Sequence, residues 1–237
     1  MNPQQSTQWD GLRHHSQPAP AGSNVPNVFY GGTTADEILN GSTRIGVGHW
    51  AAQGIAGRGV LIDWVSYVEE KKKKKGEKAP DIDGMSRQMV PLDDVYTIAK
   101  ECGIEFRKGD IFFLRVGVQK TWEAMTDEQR VAYSQAKSRV HAGLEQSERV
   151  VRFMWDNHFA AVASDSVSFE VFPPLQPEFD LHHHLLAGYG IPIGEMFDLE
   201  GLSELCRRLG RWTFFVSSSP LNCSTGVSSP PNCMAIF

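Results

Sequence analysis

Cysteine is scarce in this chain: Cys102, Cys206, Cys223 and Cys233 are the four in 237 residues. None forms a Cys-x-x-Cys pair, and no cysteine has a histidine at zinc-finger spacing, so a sulfur-ligated zinc module is not written here. A reducing, cytoplasmic compartment is the default expectation. Long apolar runs are also missing. No stretch approaches the ~20 residues of a bilayer-spanning helix, and the opening Met1-Asn2-Pro3-Gln4-Gln5 lacks the apolar region of a signal peptide. Positive charge is not in excess: 23 Lys and Arg stand against 28 Asp and Glu, a net charge of −5. That balance argues against a nucleic-acid partner. The one basic run, Lys71 to Lys75, is followed by Gly76-Glu77-Lys78. It reads as a solvated loop inside a charged surface insertion covering 70–88. No internal repeat is apparent.

Aromatic and aliphatic side chains are plentiful, with six Trp, thirteen Phe and 41% hydrophobic residues. Such a chain is not disordered, and it can bury a sizeable core as a single domain over 1–237. Residues 1–48 are rich in Gly, Pro, Ser, Thr and Asn and read as loop, with a short helix from Thr34 to Leu39. Gly59 to Trp64 and Ile111 to Val116 are apolar runs of strand type. Phe159 to Ala163 and Trp212 to Val216 read the same way, and Met234 to Phe237 suggests a last strand. Helical patterns cover Pro91 to Cys102, with Leu92, Val95, Ile98 and Ala99 on one face. They recur from a Thr126–Gln129 capping box to about Val140, from Ser147 to Trp155, and from Leu199 to Leu209. Strands and helices mix without strict alternation, which predicts an α/β or α+β fold with mixed β-sheet layers and flanking helices.

Two polar segments, remote in sequence, carry the chemistry. Ser6 to His15 holds an amide, a carboxylate and two imidazoles, and His182-His183-His184 is followed by Gly190-Ile191-Pro192-Ile193-Gly194-Glu195. A folded metal site assembled from distant loops and strands needs residue types of this kind. Each also has a plainer reading. Asp10-Gly11 is an ordinary turn pair. Consecutive histidines on a helix point about 100° apart, so they cannot all face one ion. His49 and His158 read as packing or hydrogen-bonding residues.

Taken together in order, several segments resemble the cyclase family, which includes bacterial-type kynurenine formamidase and isatin hydrolase, and most of all its fungal branch. They are Ser6 to His14, His49-Trp50 through Gly57 to Asp63, Gly109-Asp110-Ile111, Gly143 through Asp165, His183 to Glu195, and Ser228 to Asn232. The resemblance implies a compact fold of β-sheet layers with helices, of the swivelling β/β/α type. It also implies metal-dependent hydrolysis of a small cyclic or aryl amide, similar to an arylformamidase. The family signature reads His-x-Gly-Thr-His-x-Asp, with a further His four residues on. Laid on this chain, Asp10 takes the metal-binding aspartate and His14 the general acid/base. The two ligand histidines fall on Gln4 and Gln8. Gln8 then becomes a neutral ligand through its carbonyl oxygen, weaker than imidazole for zinc. The distal His and Glu, twelve residues apart, fall on His183 and Glu195, with His184 the alternative to His183.

The resemblance further implies a divalent cofactor, Zn or Mn, and a small-molecule substrate. A homo-oligomer is consistent with it, as is a chain lacking the family's N-terminal portion. Trp9 and Trp50 are candidates to line an aromatic substrate pocket, though large aromatics also serve a core. Asp165, after a predicted strand, is a candidate to orient a ligand from behind. Besides amide hydrolysis, a lactonase or cyclase-type enzyme and a non-catalytic ligand binder remain open.

Overall fold

A computed structural model describes residues 2–75 and 81–237. Its centre is an eight-stranded mixed sheet. In chain order the strands are β1 (Gln8–Asp10), β2 (Ile55–Asp63), β3 (Ile111–Arg115), β4 (Ala161–Ser164), β5 (Ile193–Glu195), β6 (Thr213–Ser218), β7 (Ser228–Ser229) and β8 (Cys233–Ile236). Across the sheet they lie in the order β7-β1-β5-β4-β3-β2-β6-β8. The middle four run parallel. β1 and β7 on one side, β6 and β8 on the other, are antiparallel additions. The expected mixed-sheet fold with flanking helices is what the chain forms.

Side chains alternate across a strand, and here both faces are buried. Val60, Ile62, Phe112, Leu114, Val162 and Ile193 face one core. Leu61, Ile111, Phe113, Ala161, Ala163, Phe214 and Val216 face the other. This double burial is why the parallel strands read as unbroken apolar runs. Helices Leu92–Glu101 and Glu148–Asp156 cover the first face. Leu92, Val95, Ile98 and Ala99 supply the buried stripe of the former, as their spacing predicts. Helix Glu200–Leu209 sends Cys206 into the second core. Each large side chain so buried contributes about 1.5–3 kcal/mol.

Local signals set several boundaries. Thr34 and Glu37 close a reciprocal cap on helix Ala35–Leu39, and Thr126 and Gln129 do the same for Asp127–Gln135. That second helix stops at Gln135 rather than near Val140, because Ala136 turns extended. The Lys71 to Lys75 run is not a loop. It completes helix Trp64–Lys75, which leaves β2 directly and is anchored by buried Trp64 and Val68. Residues 76–80 of the expected insertion lie outside the described residues.

The first 48 residues are largely loop, with one consequential exception. β1 sits in the central sheet between β5 and the edge strand β7. Arg13 ties the chain beyond β1 to two other loops. Its buried guanidinium donates to the carbonyls of Ser42, Arg44 and Thr225. No helix among the described residues is long and apolar enough to cross a membrane.

Candidate active site

The parallel strands end on charged residues at one edge: Asp63 on β2, Arg115 on β3, Glu195 on β5, and Asp165 just past β4. Crevices beyond the carboxyl ends of parallel strands are where open α/β sheets place their chemistry. Antiparallel pairing sets Gln8 opposite Glu195 and Asp10 opposite Ile193. Gln8 and Asp10 therefore share a face with Glu195, while Trp9 points the other way. Gly194 makes this possible. A Cβ there would come within 2.6 Å of Ala163, 2.7 Å of Phe197 and 2.8 Å of Trp9.

On the polar face the groups converge. Gln8 Nε2 donates to Glu195 Oε2 at 2.8 Å and approaches Asp10 Oδ2 at 3.4 Å. Gln4 Nε2 donates to Asp10 Oδ1 at 2.5 Å. His14 Nδ1 stands 3.5 Å from the same oxygen. From the distant segment His182 arrives. Its Nε2 is 3.2 Å from Glu195 Oε1, and its Nδ1 is 2.9 Å from Glu170 Oε1. One ligand atom each from Asp10, His14 and His182 lie within 4.8 Å of one another.

The imidazole in this cluster is His182, not His183. A π-helix, His183–Tyr189, begins directly after it. That wide turn carries His183 away, to within 3.8 Å of Asp180 and to a ring separation of 4.5 Å from His15. His184 is turned further off, against the Glu178 carbonyl. Twelve-residue spacing to Glu195 selects His183, but the facing residue is one step earlier. Periodicity alone does not choose among three adjacent histidines. Glu170 carries no sequence signal; it lies in an apolar context between Phe169 and Val171.

Trp9 is fully buried in the second core. It stacks edge-on against Phe197, and its indole N–H donates to Ser218 Oγ. It cannot touch a molecule on the polar face, so the pocket role expected for it is corrected to a packing role. Trp50, in helix Gly48–Gln53, packs against the margins of both cores. It lines neither cavity beside the carboxylates. Asp165 accepts the backbone N–H groups of Val116 and Gly117 at 2.7 and 2.8 Å. It shapes the turn after β3 instead of backing a ligand side chain.

Electrostatics follow from burial. Burial would lower His182, but the Glu170 and Glu195 carboxylates overrule it and hold the ring well above its ordinary value. Burial pushes Glu195 up to about 8, with the His182 hydrogen bond opposing and Asp10 adding to the rise. The pair thus keeps a proton in neutral solution. His14 is lowered, chiefly by burial, so it is a neutral base there. Burial raises Asp165 to about 6.

Two cavities adjoin the cluster. One of about 250 Å³ is lined by His14, His15, Glu170, Asp180, His182 and Glu195, among others. A larger one of about 460 Å³ is walled by Met85, Trp122, Tyr133, His141, Asp165 and Met196. Gln4 and Val167 line both, so they are neighbours. Sequence reading missed the larger chamber, because its walls come from Gln4, Gln5 and separate loops and helices spread between 85 and 196.

Residues 1–171 match the model of the Cyclase family. The chain belongs to that family. Among solved structures, a novel cyclase superposes on this Cyclase-family chain with a TM-score of 0.79 at 26% identity, over 100% of this chain and 70% of that one. Isatin hydrolase A from Labrenzia aggregata, bound to benzyl benzoate, gives 0.61 at 14% identity, over 97% and 72%. An isatin hydrolase bound to the product analogue thioisatinate gives 0.63 at 11% identity, over 100% and 73%. These likenesses speak for the fold. No curated protein matches the sequence.

Proposed function

We propose that this Cyclase-family chain is a metal-dependent hydrolase of a small cyclic or aryl amide, arylformamidase-like in reaction type. The observation that carries the reading is the meeting of Asp10 and His14 with His182 and Glu195 at the wall of a cavity. The structural neighbours named isatin hydrolase act, by that name, on a cyclic aryl amide.

The residues fit a divalent cation. Asp10, His182 and Glu195 offer a histidine and carboxylate set suited to Zn or Mn. The buried Gln8 Oε1 has no hydrogen-bond partner among the described residues, and an amide rotation would turn it towards the carboxylates as a fourth donor. A bound cation would supply Lewis acidity, polarising a carbonyl and acidifying water. Neutral His14 accepts a proton from the attacking water and returns it to the leaving nitrogen. Its Asp10 neighbour orients the ring and stabilises the transient imidazolium. Trp122, Tyr133 and Met196 give the larger cavity an aromatic and thioether wall for an aryl group.

A second reading has its own observation. The amide N–H groups of Gln4 and Gln8 already occupy oxygens of Asp10 and Glu195, as neutral substitutes for a cation would in a non-catalytic ligand binder. Metal-stripped protein assayed with Zn²⁺ or Mn²⁺ on N-formyl arylamines, isatin and aryl lactones separates the two. Metal-stimulated ring or formamide opening supports the hydrolase. Lactone turnover alone transfers the reading to a lactonase. Metal binding that appears only in the Gln4→His/Gln8→His variant favours the non-catalytic reading.

A further inference from the structure

We propose a second cation site, distinct from the Asp10 cluster, formed by His15, His183 and Asp180, that takes a d-block divalent ion of the zinc class. Three side chains from two segments meet there. One ligand atom from each lies within 4.8 Å of the other two. The His15 and His183 rings are 4.5 Å apart at an interplanar angle of 59°, and His183 Nδ1 is 3.8 Å from Asp180 Oδ2. Ligands about 2.1 Å from one ion can be no more than about 4.2 Å apart. The cluster is therefore a small side-chain rotation from coordination.

An independent observation points the same way. His15 Nδ1 is buried and has no hydrogen-bond partner among the described residues. A buried ring nitrogen without one is costly, and an ion ligated through it would supply what it lacks. Two imidazoles and one carboxylate form a donor set typical of zinc, with a position left for water. The hard, oxygen-seeking ions Mg²⁺ and Ca²⁺ are disfavoured by it.

The location gives the site a consequence. Asp180 Oδ2 faces His183, while its Oδ1 accepts the backbone N–H of His182 at 3.0 Å. His15 and Asp180 also line the smaller cavity. Coordination here pins the first turn of the His183–Tyr189 π-helix, and with it the residue that faces Glu195.

The test counts zinc on the full chain. Protein is stripped with chelator, dialysed against excess Zn²⁺ and analysed for bound metal, with calorimetric titration giving each dissociation constant. His183→Gln and His15→Gln are compared with Asp10→Asn, and circular dichroism checks folding. The expected result is two equivalents on the parent chain. Each histidine variant loses one equivalent or weakens that step at least about 100-fold, the upper range for loss of an outer partner alone. Asp10→Asn keeps the step that the histidine variants lose. One equivalent that vanishes in Asp10→Asn and survives in folded His183→Gln and His15→Gln overturns this proposal and leaves the hydrolase reading standing. One equivalent with the opposite pattern upholds this site and removes the hydrolase reading. Should His15→Gln fail to fold, the more exposed His183→Gln decides alone.

Discussion

His182→Leu in metal-stripped protein offers the sharpest measure of how the cluster is held together. The ring sits between Glu170 and Glu195, whose side chains are 3% and 4% exposed. Asp10, fully buried, is close by. Removing one member of a buried ion pair costs about 3–5 kcal/mol, because the remaining charge is left uncompensated. Unfolding entropy near 2.1 cal/mol/K per residue gives about 0.5 kcal/mol/K for 237 residues. The melting temperature should fall by about 6–10 °C.

The sign of the pH dependence is fixed by the same groups. Glu195 is raised to about 8 from an ordinary value of 4.5. Between those values the folded chain holds a proton that the unfolded chain has released, so stability falls as pH rises through that window. His182, also raised, contributes stability that is complete below its unfolded value near 6.5 and is lost as pH passes its folded value. The deficit of the variant should thus be larger at about pH 5, where the raised ring contributes in full, than at about pH 7.5, where part of that contribution is gone. Calorimetry in chelator at both pH values is the assay. A variant melting within about 1 °C of the parent at both would refute the reasoning, because the ring would then not be compensating buried charge.

Three further outcomes are expected. Arg115→Met should destabilise the chain by about 3–5 kcal/mol in urea titration, since Arg115 is the buried cation bridging Asp63 at 2.9 Å and Glu200 at 2.7 Å. Trp9→Ala should cost about 3–5 kcal/mol, and whatever activity remains should show an unchanged KM. A large rise in KM at retained stability would return Trp9 to the substrate. Zinc affinity at the Asp10 cluster should strengthen from about pH 6 to about pH 8, because the proton kept by His182 and Glu195 must leave before a cation enters. A flat profile in calorimetric titration would argue that no such proton is displaced.

Most of the sheet was legible because its parallel strands are long, apolar and buried on both sides. Ile111 to Arg115 could hardly be anything else. The helix Leu92–Glu101 announced its buried face by spacing, and the Thr34 cap and the Thr126–Gln129 capping box announced helix starts. The strands that build the site are another matter. Gln8-Trp9-Asp10 and Ile193-Gly194-Glu195 are three residues each, too short for a period to show. Their strand character comes from pairing with each other, a tertiary fact. The resemblance names Asp10 and His14 from its signature, and Glu195 from its distal His and Glu. His182 was displaced by one residue because a π-turn, not an α-turn, comes after it, and no simple pattern encodes that choice. Glu170 and the large chamber were invisible because they depend on how separate loops lie together.

The placement of β1 also fixes when during synthesis the site can exist. Its Gln8 is bonded to a residue 187 positions downstream, and its other neighbour, β7, is made later still. The segment carrying Gln8 and Asp10 is made before its partners, and nothing can receive it until the segment around Glu195 has also emerged. A nascent or prematurely terminated product therefore carries half of the chemistry with no counterpart. The cluster can assemble only when β1 slots between β5 and β7, both of which are made after it.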